Sequence, residues 1–132
     1  MYLIPGYRNI YWRKKAIVIP KGQMEDEITK ALVWWEQEYL GRGPTEAKTD
    51  LLRNMVIVML KGVLSQAEYH LAQSVDGMAL IKKLRQQLVE QGRPQLEQII
   101  FQSTGLRVIS LHTDISTKTG ERIFIFVLER EL

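Results

Sequence analysis

Hydrophobic residues recur at helical spacing near the start of the chain. The steps between them are four, three and four residues, which places them on one stripe of an α-helix. This stripe consists of Ile28, Leu32, Trp35 and Tyr39. Three acidic residues, 25–27, lie at its start, where the positive end of the helix dipole favours them. Gly41 offers a left-handed stop, so the pattern predicts a helix over residues 24–40.

Residues 46–61 change to a strand pattern. Two strand-like segments are separated by Arg53-Asn54, and Asn readily adopts positive φ, so we predict a β-hairpin with a tight turn. The second segment contains MVIVML (55–60) and is apolar on both faces, which is typical of a central strand covered on both sides.

The middle of the chain is predicted to be helical. Ser65 and Glu68 form a capping-box pattern that opens a short helix, and Asp76 can cap the next one. The expected buried stripe of that second helix consists of Leu80, Ile81, Leu84 and Leu88. Gly92-Arg93-Pro94 should break or kink it, because Gly is a poor helix former and Pro lacks a backbone donor. A last helix then runs to the stop at Gly105.

A second hairpin is predicted near the C-terminus, with the three-residue turn Lys118-Thr119-Gly120 closed by Gly in the left-handed region. With this turn, Thr117 faces Glu121, and the register of the hairpin is fixed. One face then carries Ile109, Leu111, Thr113 and Ile115 with Ile123, Ile125 and Val127. The other carries Ser110, His112, Asp114 and Ser116 with Arg122, Phe124, Phe126 and Leu128. We expect the helices to cover the first of these faces.

These elements predict an α+β domain over residues 23–132, an antiparallel sheet of two β-hairpins with helices packed on one face, in the order α-β-β-α-α-α-β-β. The opposite face would be too apolar to stay wet, and a twofold homodimer is the simplest way to cover it. The predicted interface consists of Phe124, Phe126, Leu128, Val56 and Val58, with the Met and Ile neighbours of the last two as substitutes. A helix wrapping onto this face is the alternative.

Composition narrows the possible functions. The chain has 132 residues and no Cys, so disulfides, thiolate metal sites and Cys nucleophiles are excluded. Its longest apolar run is too short to span a bilayer as a helix, and the N-terminus lacks the pattern of a secretory signal, so we expect a cytoplasmic protein.

The net charge of +3 comes from the N-terminal extension, residues 1–22, which holds five basic residues and no acidic one. The rest of the chain is slightly acidic, so no nucleic-acid partner is expected. Aromatic and basic side chains alternate in the extension and would suit an anionic membrane surface. The residues with this predicted role are Tyr7, Tyr11, Trp12, Arg13, Lys14 and Lys15. Alternatively, the natural start is Met24 and the extension is not native.

The string HTDISTKTGER (112–122) holds the residue types of an active site. Alternate residues of one strand stand about 7 Å apart, too far for the direct hydrogen bonds of a nucleophilic triad. With only one other His in the chain, a transition-metal site is also disfavoured, and no cofactor is expected. A polar strand patch with a Gly-requiring turn is one interpretation. The other is a site for an anion or small ligand, consisting of His112, Asp114, Ser116, Lys118 and Arg122.

Three strings, EYLGRGPTE (38–46), MVIVMLKGVLSQAE (55–68) and above all HTDISTKTGER, resemble the MpsC-like family of small proteins. The resemblance implies a link to a sodium-translocating, membrane-potential-generating system, with this component as a soluble accessory to membrane partners. It implies no catalytic residues. We therefore expect a non-enzymatic accessory or regulatory protein acting as a homodimer, peripheral to the inner face of the membrane. A domain that senses a small molecule or an anion through the 112–122 hairpin is the alternative.

Overall fold

The computed structural model describes residues 19–132. Its helices are α1 (Lys21–Leu40), α2 (Gln66–Leu71) and α3 (Val75–Thr104), and its strands are β1 (Glu46–Leu52), β2 (Met55–Lys61), β3 (Val108–Ile115) and β4 (Arg122–Leu128). The residues predicted to contact a membrane surface, Tyr7, Tyr11, Trp12, Arg13, Lys14 and Lys15, lie outside the described part of the chain.

The four strands form one antiparallel sheet in the order β1-β2-β4-β3. Helix α1 packs on β1 and on α3, and α3 packs on β3, so the two long helices form a layer on one face of the sheet. The predicted α+β class, with two hairpins joined in one sheet, is confirmed. The apolar segment 55–60 lies in central strand β2, as predicted, but the helices of residues 19–132 cover one of its two faces and not both.

The core lies between the sheet and the helices. Trp35 of α1 stacks on Tyr39 with ring centroids 4.8 Å apart and meets Phe124 of β4 edge-on at 6.4 Å. Phe124 in turn stacks on Phe126 at 5.9 Å. Offset and edge-to-face ring packing of this kind stabilises a core beyond the burial of area alone. The predicted stripe of α1 therefore faces the interior.

The predicted register of the second hairpin is wrong by one residue. Ser116 N–H donates to the Glu121 carbonyl and Gly120 N–H to the Ser116 carbonyl, both at 2.8 Å, so the connection has four residues, Thr117–Gly120, instead of three. In β3 and β4, His112 pairs with Ile125 and Ile115 with Arg122. Since alternate residues of a strand face opposite sides, this single step exchanges the faces of β4 relative to β3.

The predicted interface is therefore wrong as well. Phe124, Phe126, Leu128, Val56 and Val58 all lie beneath the helices, with no exposed surface in a single chain. Arg122 faces the same interior, whereas Ile123, Ile125 and Val127 face away from the helices. Ile109, expected under the helices, is 63% exposed, because a bulge interrupts the pairing of β3 between Val108 and Ser110.

The turn of the first hairpin differs in detail from the expectation. Arg53, not Asn54, has positive φ, at 56°. Asn54 is held instead by the end of β4: its side-chain amide donates to the Leu128 carbonyl at 3.1 Å, and Leu128 N–H donates to the Asn54 carbonyl at 2.7 Å. These two hydrogen bonds connect the turn of the first hairpin to the end of β4 in the second.

Other predicted helix boundaries are partly confirmed. The capping box of Ser65 and Glu68 opens α2, and Gly41 and Gly105 end α1 and α3 in the left-handed region. The N-cap of α3 is Ser74, whose hydroxyl accepts from Gly77 N–H at 2.9 Å, and Asp76 lies within the first turn. Because α1 begins at Lys21, the acidic residues 25–27 lie beyond its first turn.

Helix α3 continues through Gly92 and Pro94, so the two last predicted helices are one. Its buried stripe also differs from the predicted one. Leu80 and Leu84 are 56% and 51% exposed, and the positions turned inward are Gly77, Ile81, Arg85 and Val89. Arg85 takes an inward position because it binds Glu68 and the Val63 carbonyl, which commits this face of the helix to the interior.

Gly92 is required by the contact between α1 and α3. A Cβ at this position would lie 2.5 Å from the Trp35 ring and 3.1 Å from the Tyr39 ring, and both rings are held by their mutual stacking. Glycine thus allows the two helices to approach where an ordinary helix residue would separate them.

We expect Gly92→Ala to lower the free energy of unfolding by about 1–3 kcal/mol, the usual cost of overpacking, although Ala is the better helix former. Gly22→Ala in α1 is the matched control: its Cβ would meet nothing within 4 Å, so it should stabilise by at most about 1 kcal/mol. Urea unfolding of both variants measures the two effects. Equal stabilisation by both changes would contradict the close approach at Gly92.

Candidate functional site

The face of the sheet turned away from the helices is apolar along its two central strands. We call it the open face. Its central side chains are partly exposed, and no element of residues 19–132 packs on them. They are Met55, Ile57 and Met59 of β2 with Ile123, Ile125 and Val127 of β4. The apolar surface expected from the sequence is thus present, but it is made by the neighbours of the predicted residues.

Polar residues of the two edge strands frame this apolar centre. On β1 they are Lys48 and Asp50, which pair with Met59 and Ile57. On β3 they are Ser110, His112 and Asp114, which pair with Val127, Ile125 and Ile123. Lys48, Asp50, His112 and Asp114 are exposed. An apolar centre with a polar rim is the usual composition of a protein–protein interface.

The structure does not bring all five predicted ligand-binding residues together. His112 and Asp114 lie on the open face, and Lys118 is exposed in the turn. Ser116 flanks the turn, and its hydroxyl accepts from Thr119 N–H at 3.1 Å. Arg122 lies on the helix side of the sheet, where it donates to the Thr113 hydroxyl at 2.7 Å. The one-residue change of register therefore places Arg122 away from the other residues of the predicted anion site.

A shallow depression of about 380 Å³ does lie beside the turn. Lys82 and Lys118 line it together with two carboxylates, Asp114 and Glu121. Asp114 lies 3.4 Å from Lys82 and accepts from Ile115 N–H, and this backbone bond, followed by Lys82, lowers its pKa. Balanced charge of this kind gives an anion little net attraction.

The turn itself is packed against α2. Val63 N–H donates to the Gly120 carbonyl at 3.1 Å, and a Cβ on Gly120 would overlap the Tyr69 hydroxyl. Gly120 also has positive φ, at 75°. Two features therefore require glycine at position 120: the positive φ and the lack of space for a Cβ.

A larger groove of about 750 Å³ lies at the end of the molecule where α1 begins. Met24, Leu51 and Leu106 form apolar wall. The charged lining residues are Lys21, Arg53, Arg130 and Glu131. None of the ligand-binding residues predicted from the sequence lies there.

Within residues 19–132, no three His, Asp or Glu side chains are grouped so that they could hold a metal ion. Nor does any helix in that range combine the length and apolarity needed to cross a bilayer.

Beneath the sheet lies a polar cluster that the sequence did not predict. Glu36 of α1 and Arg122 of β4 are 1% and 2% exposed, and Arg85 of α3 is 6% exposed. Among the described residues, Glu36 Oε2 and Arg122 Nε have no hydrogen-bond partner. Burial raises the pKa of Glu36 to about 7 and lowers that of Arg122 to about 10, while their attraction opposes both shifts. Arg122 thus stays charged at neutral pH, and Glu36 is poised to gain or lose a proton.

Arg85 forms more hydrogen bonds than Arg122 does. Its guanidinium donates to both carboxylate oxygens of Glu68, at 2.7 and 2.9 Å, and to the Val63 carbonyl at 2.8 Å. Burial alone would raise the pKa of Glu68, but the hydrogen bonds from Arg85 and Ser65 outweigh it and the pKa is lowered. The pair joins α2, α3 and the segment after β2. The helical spacing of Arg85 with Ile81 and Val89 is the sequence signal that could have identified Arg85 as an inward position, although it does not indicate the partner.

The raised pKa of Glu36 should make the free energy of unfolding depend on pH. Its folded pKa lies above the unfolded value of 4.5, so its contribution is fully present below about pH 4.5 and is lost as the pH rises through about 7. The loss amounts to roughly 3 kcal/mol. We expect Glu36→Gln to remove this fall, as measured by urea unfolding at about pH 5 and about pH 8.

Glu38→Gln, an exposed neighbour on α1, is the control and should leave the pH dependence as it is. A Glu36→Gln curve parallel to that of the unmodified chain would contradict the raised pKa.

Comparison with known proteins agrees with the resemblance in the sequence. Residues 20–130 match the family described as "Na+-translocating membrane potential-generating system (MpsC)". An uncharacterized Bacillus subtilis (strain 168) protein, YbcI, is 50% identical over 112 residues, which cover 85% of this chain and 90% of YbcI. Another from the same organism, YrhF, is 25% identical over 97 residues, or 73% of this chain and 80% of YrhF. No solved structure matches. The extent of the family match shows that this chain belongs to the MpsC family.

Proposed function

We propose that the protein is a non-enzymatic accessory or regulatory component of a membrane ion-translocating, membrane-potential-generating system, and that it acts as a homodimer. The observation that carries this proposal is the open face. Six apolar side chains form a contiguous, partly exposed patch with polar residues at its rim. A patch of this composition is typical of a surface that binds another protein.

A second copy of the chain is the partner that the open face suits best. A twofold dimer covers the same patch on both subunits with one contact, and it closes without leaving a further patch to bind more copies. Sheet-on-sheet packing of apolar inner faces is also a common way for antiparallel sheets to bury a second side.

The family description supplies the context for this dimer. It names a sodium-translocating system that generates a membrane potential. In this proposal the protein acts on such a system at the membrane surface, by contact with its membrane components.

The dimer predicts a mass in solution twice that of one chain at micromolar concentration, measured by analytical ultracentrifugation. Ile57→Lys, at the centre of the open face, should shift the full chain to monomer, because it buries an unpaired charge in the contact. Ile125→Lys, its partner across the two central strands, should do the same. Circular dichroism checks that both variants remain folded.

Leu84→Lys is the matched control, since Leu84 is 51% exposed on α3 and lies away from the open face. It should leave the dimer intact. Dissociation by Leu84→Lys alone would place the contact on the helix layer. A monomer at all concentrations would contradict the proposed homodimer.

The accessory role predicts a cellular phenotype. Deleting the gene should lower the sodium-dependent membrane potential, read by a potential-sensitive dye in the native host. The unmodified chain should restore it, and the Ile57→Lys chain should not, because the dimer is the proposed active form. A potential that is unchanged by the deletion would contradict the role, whatever the oligomeric state.

A further inference from the structure

The strand pairing arranges the apolar part of the open face in three rows that cross all four strands, and the charged pair Glu46 and Lys61 lies beyond the first row. Each row runs from β1 through β2 and β4 to β3. The first row is Lys48, Met59, Ile123 and Asp114; the second is Asp50, Ile57, Ile125 and His112; the third is Leu52, Met55, Val127 and Ser110. In the first row the two ends carry opposite charge.

Face-to-face sheets usually pack with their strands nearly aligned. To bury all six central apolar side chains of both copies, the twofold axis must pass through the middle of the apolar centre, and two arrangements then remain, one for each direction of the axis. With the axis parallel to the strands, each row lies over the same row of the other copy in reverse, so β1 faces β3. With the axis across the strands and through the middle row, each strand lies over itself and the outer rows exchange places. The two arrangements bury the same apolar centre and differ in the charges that they bring together.

Only the first arrangement matches charge with charge. It places Lys48 over Asp114 of the partner subunit, and Asp50 over His112 of the partner subunit, twice each by symmetry. The second places Asp50 over Asp50 of the partner subunit and sets Lys48 over an apolar residue, Leu52 of the partner subunit. Like charges that face each other oppose association, and complementary ones fix the orientation.

On this basis, and resting on the homodimer proposed above, we propose that a second copy of the chain covers the open face with the twofold axis parallel to the strands, Lys48 facing Asp114 and Asp50 facing His112 across the contact. Lys82 lies beside Asp114 in the same chain, 3.4 Å away. The Asp114 side chain is still 73% exposed, so it can accept a second cation from above.

Cross-linking tests this arrangement, because the chain has no Cys and an introduced thiol is unique. Full-length Lys48→Cys chains are mixed with full-length Asp114→Cys chains, allowed to exchange subunits, and treated with a bis-maleimide that spans about 10 Å, the usual separation of packed sheets. We expect a covalent dimer from the mixture. Each variant alone should give none, since identical positions then lie three strand spacings, about 14 Å, apart along the face as well.

The other outcomes are distinct. If Asp50→Cys alone gives a covalent dimer and the mixture does not, the axis runs across the strands and the inference is overturned, while the homodimer stands. If centrifugation shows a dimer but neither reaction links it, the dimer uses another surface and the inference falls again. A monomer in centrifugation overturns both the inference and the proposed homodimer.

Charge reversal gives a second readout. Lys48→Glu should weaken the dimer by up to about tenfold, since it removes two exposed ion pairs. Adding Asp114→Lys to the same chain should restore most of the affinity, because the charges match again in reversed order. A double variant that is weaker than the single one would contradict the facing of these residues.

Discussion

The alternation of β4 is the constraint on which the rest of the structure depends. Its inward residues, Arg122, Phe124, Phe126 and Leu128, supply both the aromatic centre of the core and one member of the buried polar cluster. Its outward residues supply half of the apolar centre of the open face. Because side chains alternate strictly along a strand, shifting this strand by one residue would expose the rings and bury the isoleucines. The helices α1 and α3 pack on the side of the sheet that carries the aromatic rings. Gly92 of α3 leaves room for Trp35 of α1, and Trp35 contacts Phe124 of β4.

Periodicity in the sequence was sufficient for the class of fold and for most elements. The stripe of α1, the two hairpins, the capping box at Ser65 and the stops at Gly41 and Gly105 each have a local cause, and each lies where the pattern predicts it. The register of the second hairpin has no such local cause. KTG and TKTG are both acceptable turns. The four-residue turn is the one in which Gly120 contacts Val63 and Tyr69, residues that are distant in sequence and that a local pattern cannot include. The predicted interface and ligand site inherited that one-residue error.

The same limit explains the two misread positions of α3. Gly92 and Pro94 are helix breakers by intrinsic propensity, yet packing against α1 favours glycine at that point and the helix continues. The predicted stripe did not include Arg85, since arginine is rarely buried without a partner, and here Glu68 is that partner. Pairs of this kind cannot be recognised from one sequence, since nothing in the spacing of residues 68 and 85 marks them as neighbours. The exposed leucines at 80 and 84 follow directly from this choice of face.

The stretch HTDISTKTGER contains the residue types of an active site, but the contacts of Gly120 give it a structural role. Its carbonyl binds Val63, its surface touches Tyr69, and its left-handed backbone closes the connection between β3 and β4. Lys118 and Thr119 are exposed at the tip. Substitutions at the tip should therefore accumulate freely among homologues, whereas an insertion or deletion between Ser116 and Glu121 would move the glycine off its contacts. The length of this connection, more than the identity of its polar residues, is what selection on the fold would preserve.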